Sequence, residues 1–255
     1  MDSSEAAVEF RDVSYRLPDG REILKDLSFA VTRGEILILL GRSGSGKTTA
    51  LKLVNRLLRN SSGEVLVDSR STCDWNVIQL RRHIGYAIQE AGLFPHYTVE
   101  RNIGLIPSLE SWPEEKIRAR VEELVRLVGL DRELLSRFPY QLSGGQRQRV
   151  GVARALAADP TILLMDEPFG ALDALTRSEL QHEFLALQQR LKKTVLFVTH
   201  DLNEALLLGT RIALLEEGNL VSLTSPNEFR NSSEPLVTRY MRAFGAPLDQ
   251  LRGGA

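Results

Sequence analysis

The spacing of apolar residues divides the chain into stretches typical of strands and stretches typical of helices. In the first third, residues 27–31 alternate weakly with period two, and residues 36–40 form an unbroken apolar run closed by Gly41. Such a run indicates a strand buried on both faces of a parallel sheet. A helix is predicted to follow from Lys47 to Leu58, and further strands are predicted at 8–10, 13–15 and 63–67.

Between about residues 90 and 158 the pattern changes to helical periodicity. The clearest amphipathic face comprises five aliphatic residues spaced at i, i+4, i+7, i+8 and i+11, namely Ile117, Val121, Leu124, Val125 and Val128. The sequence from Ser111 to Glu114 fits the capping box that begins a helix. No β-type run interrupts this stretch, so we expect a helical subdomain inserted at about residues 90–158.

Buried strands return after the helical stretch. Residues 162–165 and 195–198 are apolar runs, and the segment between them carries Leu180, Phe184, Leu187 and Leu191 on one helical face. A buried strand, a helix and a second buried strand predict an α/β fold with a parallel sheet. After Pro226 the chain is expected to be helical and loosely packed.

The composition is that of an ordinary globular protein. Of the 255 residues, 43% are hydrophobic and 25% are charged, which excludes collagen-like and disordered chains. The 32 lysines and arginines balance the 33 acidic residues, so we expect no nucleic-acid partner. No apolar run approaches the length of about 18 residues that a membrane span needs. The first five residues lack secretory-signal features, and the single Cys73 indicates a reducing compartment.

One motif lies between the apolar run at 36–40 and the helix predicted from Lys47. It fits the pattern G-x-x-x-x-G-K-[ST] and comprises Gly41, Arg42, Ser43, Gly44, Ser45, Gly46, Lys47 and Thr48. Its glycines allow backbone N–H groups to turn towards phosphate oxygens, and the helix N-terminus adds partial positive charge. We expect Lys47 to reach the β- and γ-phosphates of a nucleotide and the Thr48 hydroxyl to bind Mg²⁺. The alternative is a glycine-rich turn with a surface lysine.

Two acidic residues follow the apolar run at 162–165. Asp166 and Glu167 are expected at the carboxyl end of that strand, the edge at which open α/β sheets bind ligands. Asp166 suits the Mg²⁺ shell, and Glu167 suits the polarisation of the water that attacks the γ-phosphate. In the alternative interpretation, the two carboxylates cap the first turn of the next helix.

A second glycine-containing sequence runs from Ser143 through Gly144 and Gly145 to Gln146. Its S-x-x-Q spacing fits a capping box, which predicts the start of a helix. The same physics makes a glycine-exposed helix N-terminus with a serine hydroxyl a second anion site. No evident geometry brings both anion sites of one chain to one phosphate, whereas two copies of the chain could do so.

These motifs, in this order, resemble those of the nucleotide-binding subunit of ATP-binding cassette (ABC) transporters over about residues 8–229. The resemblance implies a P-loop NTPase of the α/β class. The resemblance implies an ABC-type nucleotide-binding domain with a RecA-like core, an antiparallel β subdomain and the inserted helical subdomain. It also implies that the chain binds ATP and Mg²⁺, with Thr49 as a further residue of the phosphate loop.

The same resemblance assigns roles to three residues outside the motifs above. Tyr15 corresponds to the aromatic residue that stacks on adenine, Gln89 to the Q-loop glutamine that also contacts Mg²⁺, and His200 to the switch histidine. Each has an alternative interpretation: Tyr15 as an ordinary strand aromatic, Gln89 as a helix-start glutamine, and His200 as a polar residue at the edge of the core.

By the same resemblance, residues 142–146 match the family's signature loop and Asp173 matches its D-loop. The family implies a head-to-tail dimer, in which Ser143 and Gly145 of one subunit close on the ATP held by the phosphate loop of the other. A second copy of the chain is therefore the first partner that the resemblance implies.

Three stretches, residues 89–103, 112–117 and 151–160, resemble the bacterial importers of glycine betaine, choline, proline and related osmoprotectants. This resemblance implies integral membrane permease subunits, whose short cytoplasmic helix docks near the Q-loop, and an extracytoplasmic solute-binding protein. It implies a location on the cytoplasmic face of the plasma membrane. Many members also carry C-terminal CBS domains. We expect an ABC domain over residues 1–229, a short tail over 230–255 and no CBS domains.

Three other functions stay open at the level of the sequence. One is a soluble ABC-type ATPase without a permease, which the single cassette and the absence of sustained heptads disfavour. Another is import of a different solute such as an amino acid, because this subunit does not contact the cargo in the family. The third, nucleotide binding without turnover, is opposed by the presence of Glu167 and His200.

Overall fold

The chain forms two compact units. The computed structural model describes residues 6–88, 91–170 and 172–244. The first unit comprises Met1–Trp75 and Leu196–Ala255, and the second comprises Asn76–Val195. Among the helices in these described ranges, none combines the length and the apolar character that crossing a bilayer requires.

The first unit contains an antiparallel sheet built from the amino-terminal strands. Its strands are β1 (Ala6–Arg16), β2 (Glu22–Thr32), β4 (Ser62–Val67) and β5 (Arg70–Ser71), in the order β2-β1-β4-β5. Alternate residues of β2, among them Leu27, Phe29 and Val31, are buried, as the period-two pattern predicts. Phe29 stacks on Phe10 of β1 with the ring centroids 4.5 Å apart. These residues give the sheet one apolar face.

The first unit has a second sheet, and two of its strands directly precede predicted site residues. It contains β3 (Ile36–Leu40), β9 (Arg211–Glu216), β10 (Asn219–Thr224) and β8 (Thr194–Thr199). The residues of β8 from Leu196 onward belong to this unit. The order is β10-β9-β3-β8, and β9 pairs in parallel with β3 and antiparallel with β10. Every residue of β3 is buried, as its unbroken apolar run predicts.

The helices of the first unit are α1 (Lys47–Val54), α8 (Leu202–Leu208), α9 (Pro226–Arg230) and α10 (Pro235–Phe244). The prediction that α1 extends to Leu58 is wrong. Arg56 has a left-handed φ of 53°, and the N–H groups of Leu57 and Leu58 turn back to the carbonyl of Lys52. The predicted loose packing of the last helical segment is also wrong, because Tyr240 and other apolar residues of α9 and α10 are buried.

The second unit contains a parallel pair of strands and most of the helices. Its regular elements are α2 (Val77–His83), β6 (Ile84–Ala87), α3 (Val99–Ile103), α4 (Leu105–Leu109), α5 (Glu114–Leu127), α6 (Gly144–Leu156), β7 (Ile162–Asp166) and α7 (Ala174–Leu191). Two short 3₁₀ helices span Arg132–Ser136 and Pro139–Gln141. The part of 90–158 that the structure describes contains no strand, as the periodicity predicts.

The predicted start of α5 needs a correction. Ser111 does not form a capping box, because its φ of 58° lies in the left-handed region and its side chain does not cap the helix. Pro113 occupies the N-cap position, and the helix begins at Glu114. Glu114 and Glu115 place negative charge in the first turn, which suits the partial positive charge there. The predicted apolar face of α5 is correct, since Val121, Leu124 and Val125 are buried.

Candidate nucleotide-binding site

The predicted phosphate motif forms the turn between β3 and α1. Gly44 and Gly46 have φ angles of 84° and 100°, in the left-handed region that favours glycine. A β-carbon at Gly46 would lie 2.5 Å from Cδ2 of Leu24, so the loop packs tightly against β2. No side chain at the N-cap position closes the start of α1. A helix end of this kind suits an anion, which can accept from the first N–H groups.

Lys47 and Ser45 are buried inside this loop. The Nζ atom of Lys47 donates to the carbonyl oxygens of Gly41 and Arg42, each at 2.8 Å. The Ser45 hydroxyl is buried and finds no hydrogen-bond partner within the described residues. Buried polar groups are nearly always hydrogen-bonded, so this hydroxyl indicates a ligand. A phosphate group fits, because its oxygens accept hydrogen bonds from both a hydroxyl and an ammonium group.

The loop faces a space of suitable size. A cavity of about 360 Å³ is lined by Arg42, Ser43, Gly44 and Ser45, together with Glu216 of β9 and Glu217 of the turn that follows it. Small-molecule sites usually have volumes of about 300–1,000 Å³. The phosphate motif therefore faces a space large enough for a small ligand.

Four other predicted residues lie in the first unit. Thr48 and Thr49 are half-buried in the first turn of α1. Tyr15 lies opposite Leu24 in the β1–β2 pairing, and Leu24 is the residue that packs against the loop at Gly46. Opposed residues of an antiparallel pair share one face of the sheet. His200 is exposed and directly follows β8, the neighbour of β3, so Tyr15 and His200 lie on elements that adjoin the motif.

In the second unit, Asp166 is the buried last residue of β7. The hydroxyl of Tyr86, on the parallel neighbour β6, donates to Oδ2 of Asp166 at 3.4 Å. Burial, and then the charge of Asp166, raise the pKa of Tyr86 far above its ordinary value. Tyr86 therefore keeps its proton and can orient the carboxylate. Sequence reasoning missed Tyr86, and only the β6–β7 register would have revealed it.

Glu167 follows Asp166 with a left-handed φ of 45°. Its carbonyl oxygen accepts the N–H of Gly170 at 3.1 Å, which closes a tight turn. The next helix begins only at Ala174, and Asp173 is its N-cap residue. The alternative in which Asp166 and Glu167 cap that helix is therefore wrong.

Ser143 is the N-cap residue of α6. Its Oγ accepts the N–H of Gln146 at 3.2 Å, and Oε1 of Gln146 accepts the N–H of Ser143 at 2.9 Å. The capping box is therefore confirmed. Ser143 and Gly144 are exposed, and the capping bond leaves the single hydroxyl proton of Ser143 for an outside acceptor. The same residue can thus cap its helix and contact an anion.

The start of α7 adjoins the start of α6. A β-carbon at Gly145 would lie 2.8 Å from Cγ2 of Thr176, in the first turn of α7. Asp173 is exposed, and its Oδ1 accepts the N–H of Thr176 at 3.1 Å. This hydrogen bond is the main cause that lowers the pKa of Asp173. Ser143 and Asp173 therefore belong to one surface of the second unit.

Gln89 lies outside the described residues, and the segment that follows it is held by Arg154 of α6. The guanidinium donates to the carbonyl oxygens of Ala91 and Gly92 at 2.7 and 2.8 Å. Both residues have left-handed φ angles, of 59° and 48°. Helix α6 is thus attached to the chain at Ala91 and Gly92. Sequence reasoning gave no role to Arg154.

A groove of about 420 Å³ lies next to this attachment, within the second unit. Its walls include the apolar residues Phe94, Leu105 and Leu109 and the basic residues Arg81 and Arg82. The side chains of Phe94 and Leu109 are 41% and 56% exposed. Large apolar residues that are exposed together in one groove are typical of a protein-binding surface.

Curated proteins of known role are similar to most of this chain. The glycine betaine/carnitine/choline transport ATP-binding protein OpuCA of Bacillus subtilis is 46% identical over 92% of the chain and 62% of its own length. The osmoprotectant import ATP-binding protein OsmV of Salmonella typhimurium is 50% identical over 80% of the chain and 53% of its own length. The chain thus spans about 60% of the length of the curated relatives it matches.

Solved structures share the fold. The dimeric post-hydrolysis structure of the ATP-binding cassette MJ0796, bound to ADP and Pi, has a TM-score of 0.78 and 33% identity, covering 86% of this chain and 98% of that one. CbiO1 from Clostridium perfringens, part of the ABC transporter complex cbiONQ, has a TM-score of 0.83 and 27% identity over 97% of both chains. The family model described as ABC transporter matches residues 24–170. The family model and the solved structures agree, and this chain belongs to the ABC transporter family, with the α/β fold of its P-loop ATPase domain.

Proposed function

We propose that this chain hydrolyses ATP as the nucleotide-binding subunit of an ABC importer for an osmoprotectant of the glycine betaine, choline or proline class. The observation that carries the proposal is the phosphate motif, in which the buried Lys47 ammonium and Ser45 hydroxyl are both suited to phosphate oxygens. The names of the relatives OpuCA and OsmV support the solute class.

ATP is the proposed substrate of the motif in the first unit. Lys47 would exchange its bonds to the carbonyls of Gly41 and Arg42 for bonds to the β- and γ-phosphates. The N-terminus of α1 adds partial positive charge to the phosphates. Tyr15 would stack on adenine, which its place opposite Leu24 supports.

Hydrolysis requires a bound cation, an oriented water and a stabilised γ-phosphate. We assign Thr48, Asp166 and Gln89 to Mg²⁺, which supplies charge neutralisation at the phosphates when it is bound. Tyr86 orients Asp166 through its hydroxyl. Glu167 accepts a proton from the attacking water, and His200 donates to an oxygen of the γ-phosphate.

A second copy of the chain is the proposed partner at the start of α6. The exposed Ser143 hydroxyl keeps a proton to donate, and Gly144 and Gly145 let the helix N-terminus approach a phosphate closely. Asp173 belongs to the same surface. The cassette MJ0796 is a dimer in its solved structures, which supports dimerisation of this chain. The head-to-tail arrangement of the two copies is part of the proposal.

A membrane permease is the proposed occupant of the groove lined by Phe94 and Leu109. A short amphipathic helix can bury its apolar side against these residues. Arg81 and Arg82 suit the partial negative charge of that helix's C-terminal end. The permease would hold the chain at the cytoplasmic face of the plasma membrane and connect it with an extracytoplasmic solute-binding protein.

Purification from native membranes followed by reconstitution with the co-purifying permease tests the whole proposal. We expect a multi-span protein to co-purify, and ATP-dependent uptake of betaine or choline in preference to amino acids and sugars. Uptake of amino acids alone would overturn the solute class. Recovery only with ribosomes or nucleic acid would overturn transport and favour a soluble ABC-type ATPase.

Two leucine variants test the groove. Leu109→Glu is expected to abolish permease co-purification, because it places a charge in the apolar groove, while ATP binding by the chain alone is unchanged. Leu57→Glu is the matched control, because Leu57 is 47% exposed and lies in the first unit, outside the groove. Equal co-purification by both variants would exclude the groove as the docking site.

A further inference from the structure

The turn that carries His200 is closed by a ring of hydrogen bonds. Oγ1 of Thr199 donates to Oε2 of Glu204 at 2.5 Å and accepts the N–H of Asp201 at 3.0 Å. Oδ1 of Asp201 accepts the N–H groups of Asn203 and Glu204 at 2.7 and 3.4 Å. The ring joins the last residue of β8 to the first turn of α8, and His200 lies between its bonded members.

The ring is buried although the histidine is not. Thr199 and Glu204 are 2% and 4% exposed, whereas His200 is exposed. Burying a carboxylate is unfavourable, and the short bond from the Thr199 hydroxyl and the N-terminal turn of α8 offset this. Buried charges are weak contributors to stability compared with apolar residues of similar size. The position of Glu204 in the ring therefore points to a role in orientation.

The directions of the hydrogen bonds indicate how that role works. A threonine hydroxyl has one proton, and Thr199 gives it to Glu204. The oxygen then has its lone pairs for the N–H of Asp201, which fixes the backbone after His200. The backbone before His200 is already fixed, because Thr199 belongs to β8. Glu204 thus fixes the hydroxyl that restrains the backbone directly after His200.

We propose that Glu204 and Thr199 are positioning residues that hold His200 in the orientation in which its ring reaches the γ-phosphate. This inference rests on the role of His200 in the proposed function, and it adds two residues that do not touch ATP themselves. Displacing a catalytic group by about 1 Å can lower a rate about 100-fold, so loss of the ring is expected to act on turnover.

Threonine variants in the full chain test this inference. Thr199→Val keeps the side-chain shape but removes the hydroxyl, and we expect it to lower kcat for ATP about tenfold or more, with the Kd of a fluorescent ATP analogue unchanged. Thr199→Ser restores the hydroxyl and is expected to restore kcat. In a His200→Ala background, Thr199→Val should have no further effect on kcat, because Thr199 acts on turnover only through His200.

An NMR measurement on the nucleotide-free protein tests the orientation of His200 independently of turnover. The imidazole signal of His200 in the nucleotide-free protein can be identified by NMR from its loss in His200→Ala. We expect Thr199→Val to shift or broaden this signal and Thr199→Ser to leave it in place. Glu204→Gln keeps an acceptor for the hydroxyl but weakens the bond, so a smaller fall in kcat, about threefold, is expected. Should Thr199→Val fail to fold, Glu204→Gln and its His200→Ala double variant decide the question.

Thr210→Val is the matched control for stability. The Thr210 hydroxyl donates to the carbonyl of Ile36 and accepts the N–H of Ile36, each at 3.0 Å, so the variant also loses two hydrogen bonds. We expect it to keep wild-type kcat. The inference is overturned if Thr199→Val lowers kcat no more than Thr210→Val, or if its effect persists fully without His200. Wild-type turnover by His200→Ala would instead overturn the role assigned to His200, and the NMR signal would still show whether the ring orients it.

Discussion

Replacing Gly46 by alanine tests how the phosphate motif packs against β2. Alanine at the φ of 100° found for Gly46 costs about 1–3 kcal/mol. Its β-carbon would also lie 2.5 Å from Cδ2 of Leu24. Leu24 is fully buried, so moving its side chain off a favoured rotamer adds about 0.5–1.5 kcal/mol. We expect Gly46→Ala to lower the free energy of unfolding by about 1.5–4.5 kcal/mol.

Gly44→Ala is the matched control for this prediction. Gly44 has a similar left-handed φ of 84°, but a β-carbon there would meet no atom within 4 Å. Only the backbone cost of the left-handed φ applies at Gly44, so a loss of about 1–3 kcal/mol in the free energy of unfolding is expected. Urea unfolding followed by circular dichroism measures both free energies, and the two variants differ by the contact with Leu24. Equal losses in Gly44→Ala and Gly46→Ala would refute the packing argument.

Three further predictions concern residues of the second unit. Glu167→Gln should lower ATP turnover roughly 10²- to 10⁴-fold with ATP binding intact, because it removes the proposed base; phosphate release and nucleotide binding measure this, and wild-type-like turnover would contradict it. Tyr86→Phe should raise the Mg²⁺ concentration for half-maximal turnover by up to about tenfold, through loss of the bond that orients Asp166; an unchanged Mg²⁺ dependence would exclude this role. Asp173→Ala should lower the melting temperature at neutral pH, because the helix loses its cap. The cap lowers the pKa of Asp173, so the wild-type advantage is complete above the unfolded-state pKa and disappears as the pH falls through the lower folded-state pKa. Melting curves from neutral to strongly acid pH test this, and an advantage that persists in strong acid would count against it.

Features that depend on neighbouring residues alone were predictable from the sequence. The unbroken apolar run of β3 and the glycine spacing from Gly41 to Lys47 locate the strand, the turn and the helix start of the phosphate motif. The S-x-x-Q spacing likewise predicts the capping box of Ser143. The physical cause in each case is the burial of a strand or a local hydrogen bond. Both depend only on residues a few positions apart in the sequence.

Features that depend on distant contacts were not predictable. The four-residue strand β6 contains Gly85, whose β-carbon would lie 2.3 Å from the carbonyl oxygen of Ala155. The hydrogen bond between Tyr86 and Asp166 joins residues 80 positions apart and depends on strand register. The apolar pattern does not reveal that Glu204 is buried. Contacts and burial of this kind depend on the tertiary fold and not on the local sequence.

The capping bond of Ser143 also determines how the exposed end of α6 meets a ligand. Because the hydroxyl oxygen already accepts the N–H of Gln146, the side-chain rotamer is set beforehand, and binding loses little rotational entropy. The serine keeps its proton to donate, and an oxyanion can accept that proton whereas a cation cannot. In the proposed dimer, this surface would therefore keep its selectivity for an anion while the two subunits are apart.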